Sequence, residues 1–255
     1  MRLDEFIDKI ICGDCLKMLS KLPDDSIDIV LTSPPYNYGM DYDSYDDKIG
    51  WNQYFEWIYD VFVECVRVVK DGGRIIVVIK PCYTDNIPTH HRISQILENL
   101  GMTWKTEIIW EQNNYSQKIT SWGSWQSPSN PYIKTTWEFI EVFFKGSARK
   151  EGEKDDIDIT GEEFKKWIYG RWSLAPEGKM KQYGHPAMFP EDVVERILKL
   201  FSYRNDVVLD PFVGTGTTAV VAKKLERKFI GIDISDRYCR IANERLSSIQ
   251  QYLFM

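Results

Sequence analysis

The stretch from Val207 to Asp233, "VVLDPFVGTGTTAVVAKKLERKFIGID", limits this chain more than any other. An apolar run closes on Asp210. A loop with glycines at 214 and 216 follows, then a helical run through about Ala219–Leu225 and a second apolar run closing on Asp233. Strand, loop, helix and strand in that order make a β–α–β unit of a parallel sheet. The spacing Gly214-x-Gly216-x-x-Ala219 lets backbone come close to a ligand, and an acid about 20 residues on can hold the hydroxyls of a ribose. The unit therefore predicts an adenosyl ligand gripped by Asp233. The pattern G-x-x-x-x-G-K-[ST] is missing, which excludes a P-loop nucleotidase. A nicotinamide dinucleotide would satisfy the glycines equally, but its domain would need further strands, and few residues follow Asp233.

Those strands stand at the other end of the chain. "KIIC" (9–12) stops at Gly13-Asp14, and "SIDIVL" (26–31) runs into Thr32-Ser33. "RIIVVI" (74–79) is a continuous apolar run, as expected of a strand covered on both faces. Apolar residues at helical spacing fill Trp51–Val69, and further helices are expected over about Thr89–Leu100 and Glu191–Phe201. "TEIIW" (106–110) and "EFIEVFF" (138–144) add two strands. The alternation predicts an α/β fold with a doubly wound, mostly parallel sheet and right-handed crossovers. Taken as a circle, the C-terminal pair of strands comes first and the N-terminal strands follow. Asp210, Asp233, Asp14 and Ser33 then all stand at carboxyl ends of strands, where an open sheet of this kind binds its ligand.

Ser33-Pro34-Pro35-Tyr36 makes an unusual strand end. A residue before proline is pushed into extended backbone, and proline itself has no N–H to donate. The segment is stiff and rich in acceptors, with a hydroxyl at Ser33 and a flat ring at Tyr36. A planar ligand carrying an NH₂ group suits it.

With these segments in this order, the chain resembles the S-adenosylmethionine-dependent amino-DNA methyltransferases of the β group, the permuted, restriction–modification type. "LTSPPY" (31–36) is similar to the family's catalytic signature and "LDPFVGTGTT" (209–218) to its cofactor loop. "GHPAMFP" (184–190), "GDCL" (13–16), "IIW" (108–110) and "GID" (231–233) also fit. The resemblance implies a Rossmann-like, circularly permuted methyltransferase sheet of six or seven strands, S-adenosylmethionine as cofactor, and a target base flipped out of double-stranded DNA. It implies that Ser33, Pro34, Pro35 and Tyr36 form the catalytic corner, with Tyr36 stacking on the base and Trp110 packing on its other side. It gives Asp14 to the adenine amine and Asp233 to the ribose. Asp210, Phe212, Gly214, Gly216 and Thr217 fall on the methionine side, with His185 nearby. A serine before the two prolines leans towards cytosine N4, with adenine N6 as the alternative. RNA or protein amine methylation and NAD-dependent oxidation stand further off. A 5-methylcytosine enzyme would need a catalytic thiolate; Cys82, in Pro81-Cys82, follows the wrong strand for one.

A net charge of −6 and a pI near 5.3 do not mark a nucleic-acid binder, so DNA contact requires a local basic face. The stretch from Phe164 to His185 offers one, with Lys165, Lys166, Arg171, Lys179 and Lys181 against the single acid Glu177. Residues 146–183 are accordingly expected to be an inserted DNA target-recognition region between 1–145 and 184–255, the two parts of the catalytic domain. A companion restriction endonuclease in the same system is an expected partner, without a stable complex. Five scattered cysteines argue against a disulfide framework, and Cys12-x-x-Cys15 lacks the second pair of a zinc site, so no metal is expected. No apolar run is long enough for a bilayer, and the acidic, mixed "MRLDEFIDKI" is unlike a signal or transit peptide, which predicts a cytoplasmic protein.

Overall fold

The computed structural model describes residues 2–40, 43–44, 47–113, 123–133, 135–178, 183–184 and 188–252. An eight-stranded sheet forms its centre. The strands are β1 (Lys9–Cys12), β2 (Ile27–Thr32), β3 (Val69–Ile79), β4 (Met102–Glu111), β5 (Trp137–Lys145), β6 (Arg171–Ser173), β7 (Val207–Asp210) and β8 (Lys228–Asp233). The helices are α1 (Cys15–Leu19), α2 (Trp51–Val68), α3 (Thr89–Asn99), α4 (Gly161–Trp167), α5 (Glu191–Phe201), α6 (Thr217–Lys224) and α7 (Asp236–Tyr252).

The strand order is β1-β8-β7-β2-β3-β5-β4-β6. β1, β8, β7, β2 and β3 are mutually parallel, β5 is antiparallel to both β3 and β4, and β6 is parallel to β4. Strands β7, β8 and β1 step outwards one way from the centre, and β2 and β3 step outwards the other way. The direction of winding reverses between β7 and β2, which are paired through Ile29–Val208 and Val30–Leu209. A ligand crevice opens at such a switch point, beyond the carboxyl ends of the two strands.

Both faces of the sheet are covered, which explains the unbroken apolar run of β3. Ile75, Val77 and Ile79 pack with Tyr54, Ile58 and Phe62 of α2, and Ile76 and Val78 join the opposite core with Val193, Val194 and Ile197 of α5. Fully burying one such side chain contributes roughly 1.5–3 kcal/mol. No helix among the described residues is long and apolar enough to cross a membrane.

One feature departs from expectation. The sheet has eight strands, not six or seven, because residues 171–173 add an edge strand whose Trp172 is buried in the core. The early part of the segment after β5 is tied to the sheet by side chains. Arg74 Nη2 donates to the Ala148 carbonyl at 2.8 Å, Lys150 pairs with Asp28 and Asp206, and Asp158 pairs with Arg227.

Candidate active site

A cleft of about 610 Å³ opens at the switch point. Its walls include Ser33, Pro34, Pro35 and Tyr36 after β2, Asp210 to Gly214 after β7, Asp14 after β1 and Asp233 after β8. Two segments from opposite ends of the chain thus share one cavity, because β2 and β7 are neighbours in the sheet.

Asp210 couples them. One carboxylate oxygen accepts from Thr32 Oγ1 at 2.8 Å and from the Phe212 N–H at 3.1 Å; the other accepts from Thr218 Oγ1 at 2.7 Å. Thr32 is the last residue of β2, and Phe212 and Thr218 flank the glycine loop. Burial pushes the Asp210 carboxyl up to about 6, against the pull of those donors.

On the glycine-loop side, Asp233 accepts from the Gly214 N–H and the Ser235 N–H, each at 2.9 Å and each on a different oxygen. Burial raises its pKa. Gly214 and Gly216 have φ of +52° and +86°, in the left-handed region that favours glycine. A Cβ at Gly216 would come within 2.7 Å of the Ala242 Cβ, so this glycine serves the close approach of α7. Gly216 is not on the cleft wall, whereas Gly214 and Thr217 are. The Asp14 carboxylate caps α1 by accepting from the Lys17 N–H at 3.0 Å, while its residue also lines the cleft. Phe212 packs on Trp57, with ring centroids 5.4 Å apart. Ser235 donates to Asp43 at 2.7 Å, which brings the loop after Tyr36 across to the acid end of β8.

On the proline side, Tyr54 donates to the Pro35 carbonyl at 2.7 Å and fixes the turn. Ser33 Oγ lies 3.0 Å from the Tyr36 hydroxyl, which lies 2.9 Å from Glu138 Oε2. Gln112 donates to Glu138 Oε1 at 2.8 Å. Burial raises the Glu138 pKa, while Tyr36, Lys80 and Gln112 pull it down. Trp110 lines the cleft but is almost wholly buried, and its indole donates to the Leu174 carbonyl at 2.9 Å. Tyr38 stands edge-on to Tyr36, with centroids 5.8 Å apart. Cys82 is buried beside Thr84 and away from the cleft wall.

A family model described as DNA methylase, of the N6/N4 type, matches residues 27–244. The chain belongs to the N6/N4 DNA methylase family. It is 32% identical to the Type II methyltransferase M.BglII of Bacillus subtilis over 256 residues, covering 95% of this chain and 70% of that protein. It is also 32% identical to the Type II methyltransferase M.HpaI of Haemophilus parainfluenzae, covering 94% and 74%. Among solved structures, a candidate DNA modification methylase of Thermus thermophilus, complexed with S-adenosyl-L-methionine, superposes with a TM-score of 0.73. It is 25% identical, and the match covers 94% of this chain and 95% of that one. The protein is an S-adenosylmethionine-dependent DNA methyltransferase that modifies an exocyclic amine.

The methyltransferase's glycine-loop half fits that cofactor. Asp233 has both oxygens oriented by backbone N–H groups and retains acceptor capacity for two hydroxyls. The cavity is within the range of small-molecule sites, roughly 300–1,000 Å³.

Three of the basic residues singled out in the sequence are described, and none is on the cleft wall. Lys165 and Lys166 are exposed on α4, which packs along α5 through Lys199–Glu163 and through Arg196 over Trp167. Arg171 is exposed on the edge strand β6 and reaches Glu111 at 3.5 Å. Lys179, Lys181 and His185 lie outside the described residues. Sequence reasoning missed Glu138, Gln112 and Lys80 on the proline side. Glu138 opens the apolar run of β5, and Lys80 and Gln112 follow β3 and β4, so alignment of those strand ends points to them.

Proposed function

We propose that this methyltransferase methylates the N4 amine of a cytosine turned out of double-stranded DNA at a specific site, acting in the cytoplasm. The observation that carries the reading is the Ser33 hydroxyl beside the Tyr36 ring, in the same cleft as the glycine loop and Asp233. An amine inside a duplex cannot meet a bulky donor, so the base must leave the stack.

Tyr36 stacks on the extruded base, and Trp110 closes the pocket behind it. The exocyclic amine is a poor nucleophile because its lone pair is delocalised into the ring. Ser33 Oγ and the Pro34 carbonyl accept its two N–H groups and hold the nitrogen pyramidal, with its lone pair aimed across the cleft. That is orientation and transition-state complementarity together. Asp233 holds the ribose, Asp14 the adenine amine, and the loop from Asp210 to Thr217 the methionine end. S-adenosylmethionine, when bound, supplies a methyl group on a sulfonium, so no covalent enzyme intermediate is needed. The serine ahead of the prolines favours cytosine, in keeping with the resemblance noted from the sequence.

Residues 146–183 form the target-recognition insert within a catalytic domain of 1–145 and 184–255, and Lys165, Lys166 and Arg171 face the duplex. A restriction endonuclease that cuts the same site is the expected companion, acting separately. The experiment is to treat mixed-sequence duplex DNA with the enzyme and cofactor, digest it to nucleosides and weigh the products. N4-methylcytidine as its deoxynucleoside is expected; N6-methyladenine would replace cytosine as target.

A further inference from the structure

Three side chains on the proline side form a hydrogen-bond chain with a direction. Ser33 Oγ is 3.0 Å from Tyr36 Oη, and Tyr36 Oη is 2.9 Å from Glu138 Oε2, with the Val78 carbonyl a longer alternative at 3.3 Å. The second carboxylate oxygen is occupied by Gln112 Nε2 at 2.8 Å. An ionised carboxylate can only accept. Tyr36 must then donate its one O–H to Glu138, and Ser33 must donate its one O–H to Tyr36. Ser33 Oγ is left to present lone pairs to the cleft. A hydroxyl that could donate or accept thereby becomes an obligate acceptor.

We propose that Glu138 is a positioning residue that polarises this chain, makes Ser33 an acceptor for the target amine, and takes up the released proton through Tyr36 and Ser33. The proposal rests on the reading that Ser33 meets the exocyclic amine. The amine nitrogen uses its lone pair to bond the methyl carbon. The C–S bond breaks with its electron pair left on sulfur, so the sulfonium becomes a neutral thioether and the positive charge passes to nitrogen. That nitrogen gives one proton to Ser33 Oγ, while the Ser33 proton moves to Tyr36 Oη and the Tyr36 proton moves to Glu138 Oε2. Both hydroxyls end with one proton each, the methylated amine ends neutral, and Glu138 ends as a neutral acid. It returns its proton to water when the product leaves.

The surroundings suit the role. Burial makes the Glu138 carboxylate a stronger base than an exposed one. Among the described residues, the ionisable groups facing it are Tyr36 and Tyr38 from the loop after β2 and Lys80 from the end of β3; Gln112 after β4 does not titrate. Burial, with the charges of its neighbours including Glu138, raises the Tyr38 pKa, and its hydroxyl donates to the Pro81 carbonyl. The chain also explains how a serine can do work for which a carboxylate would be the obvious choice: the carboxylate is two hydroxyls away.

The test compares wild type, E138Q and Y36F in single-turnover methylation of duplex DNA across pH, with cofactor affinity by calorimetry and thermal midpoint measured in parallel. The wild-type rate should climb with pH as Glu138 ionises. E138Q should lose that acid limb and slow by ~100-fold, the scale of lost proton-transfer catalysis. Y36F keeps the stacking ring but breaks the chain; it should slow comparably, and the double variant no further. Cofactor affinity and thermal midpoint should stay near wild type. An E138Q enzyme within twofold of wild type, or one that keeps the acid limb, overturns the relay. Should E138Q not fold, Y36F decides alone, and a wild-type rate there is equally fatal. Wild type that methylates no DNA overturns the underlying reading together with the relay, whereas active wild type with indifferent variants overturns the relay only.

Discussion

Asp210 and Asp233 end adjacent parallel strands, Asp210 buried and Asp233 partly open, and their bonding separates their tasks. Asp210 spends its carboxylate on Thr32, Thr218 and the Phe212 N–H. It joins the two halves of the site more than it meets a ligand, and burial holds its pKa at about 6. Asp233 takes only backbone donors, one per oxygen, and keeps part of its surface open to the cleft. Asp233→Ala should therefore weaken cofactor binding first. Loss of hydrogen bonds to a charged group costs about 1.5–3 kcal/mol, or roughly a 10- to 100-fold rise in Kd. Calorimetric titration with S-adenosylmethionine measures it, and an unchanged Kd would remove the ribose assignment.

At the scale of elements, the segment after β5 is tied to the base of the sheet, opposite the cleft. Arg227 leads into β8 with its side chain fully buried, and it donates through Nη2 to Asp158 Oδ1 at 2.7 Å and to the Ser202 carbonyl at 2.9 Å. Asp158→Ala leaves that guanidinium buried without its carboxylate, which costs about 3–5 kcal/mol. Urea unfolding should show the loss as a lower midpoint for the whole domain; a local effect confined to DNA binding would argue that the segment folds independently. The same region marks where the sequence stops being legible. Strands β2, β3, β7 and β8 could be read because both of their faces are buried, so that their residues are apolar in succession. β6 could not, because three residues, "RWS", carry no period, and only their pairing with Ile109, Trp110 and Glu111 makes them a strand. The antiparallel direction of β5 was equally hidden, since alternation along a strand does not encode which way its neighbour runs.

At the scale of the molecule, the site was legible where chemistry is local and illegible where it depends on several strand ends converging. Ser33–Tyr36 and the glycine loop announce themselves through proline stiffness and glycine spacing. Glu138 does not, because a glutamate at the head of an apolar strand looks like a solvated end until β5 is placed beside β3. Charge is the other global property. At −6 overall, the chain must confine its attraction for a polyanion to one face. Lys165 and Lys166 sit side by side on α4, on the flank formed with α5. If the duplex lies along that flank, each lysine neutralises one phosphate and releases its counterion. The slope of log affinity against log salt should then fall in magnitude by about 2 in the K165A/K166A double variant, since each contact contributes ~0.9. Affinity should drop most at low salt, while the single-turnover rate on saturating DNA stays within a factor of two, because neither side chain lines the cleft. Fluorescence anisotropy with a labelled duplex over a salt series reads the slope directly. A slope equal to wild type would move the DNA off this flank and onto the rim around Arg171, the exposed cation on the edge strand next to Trp110.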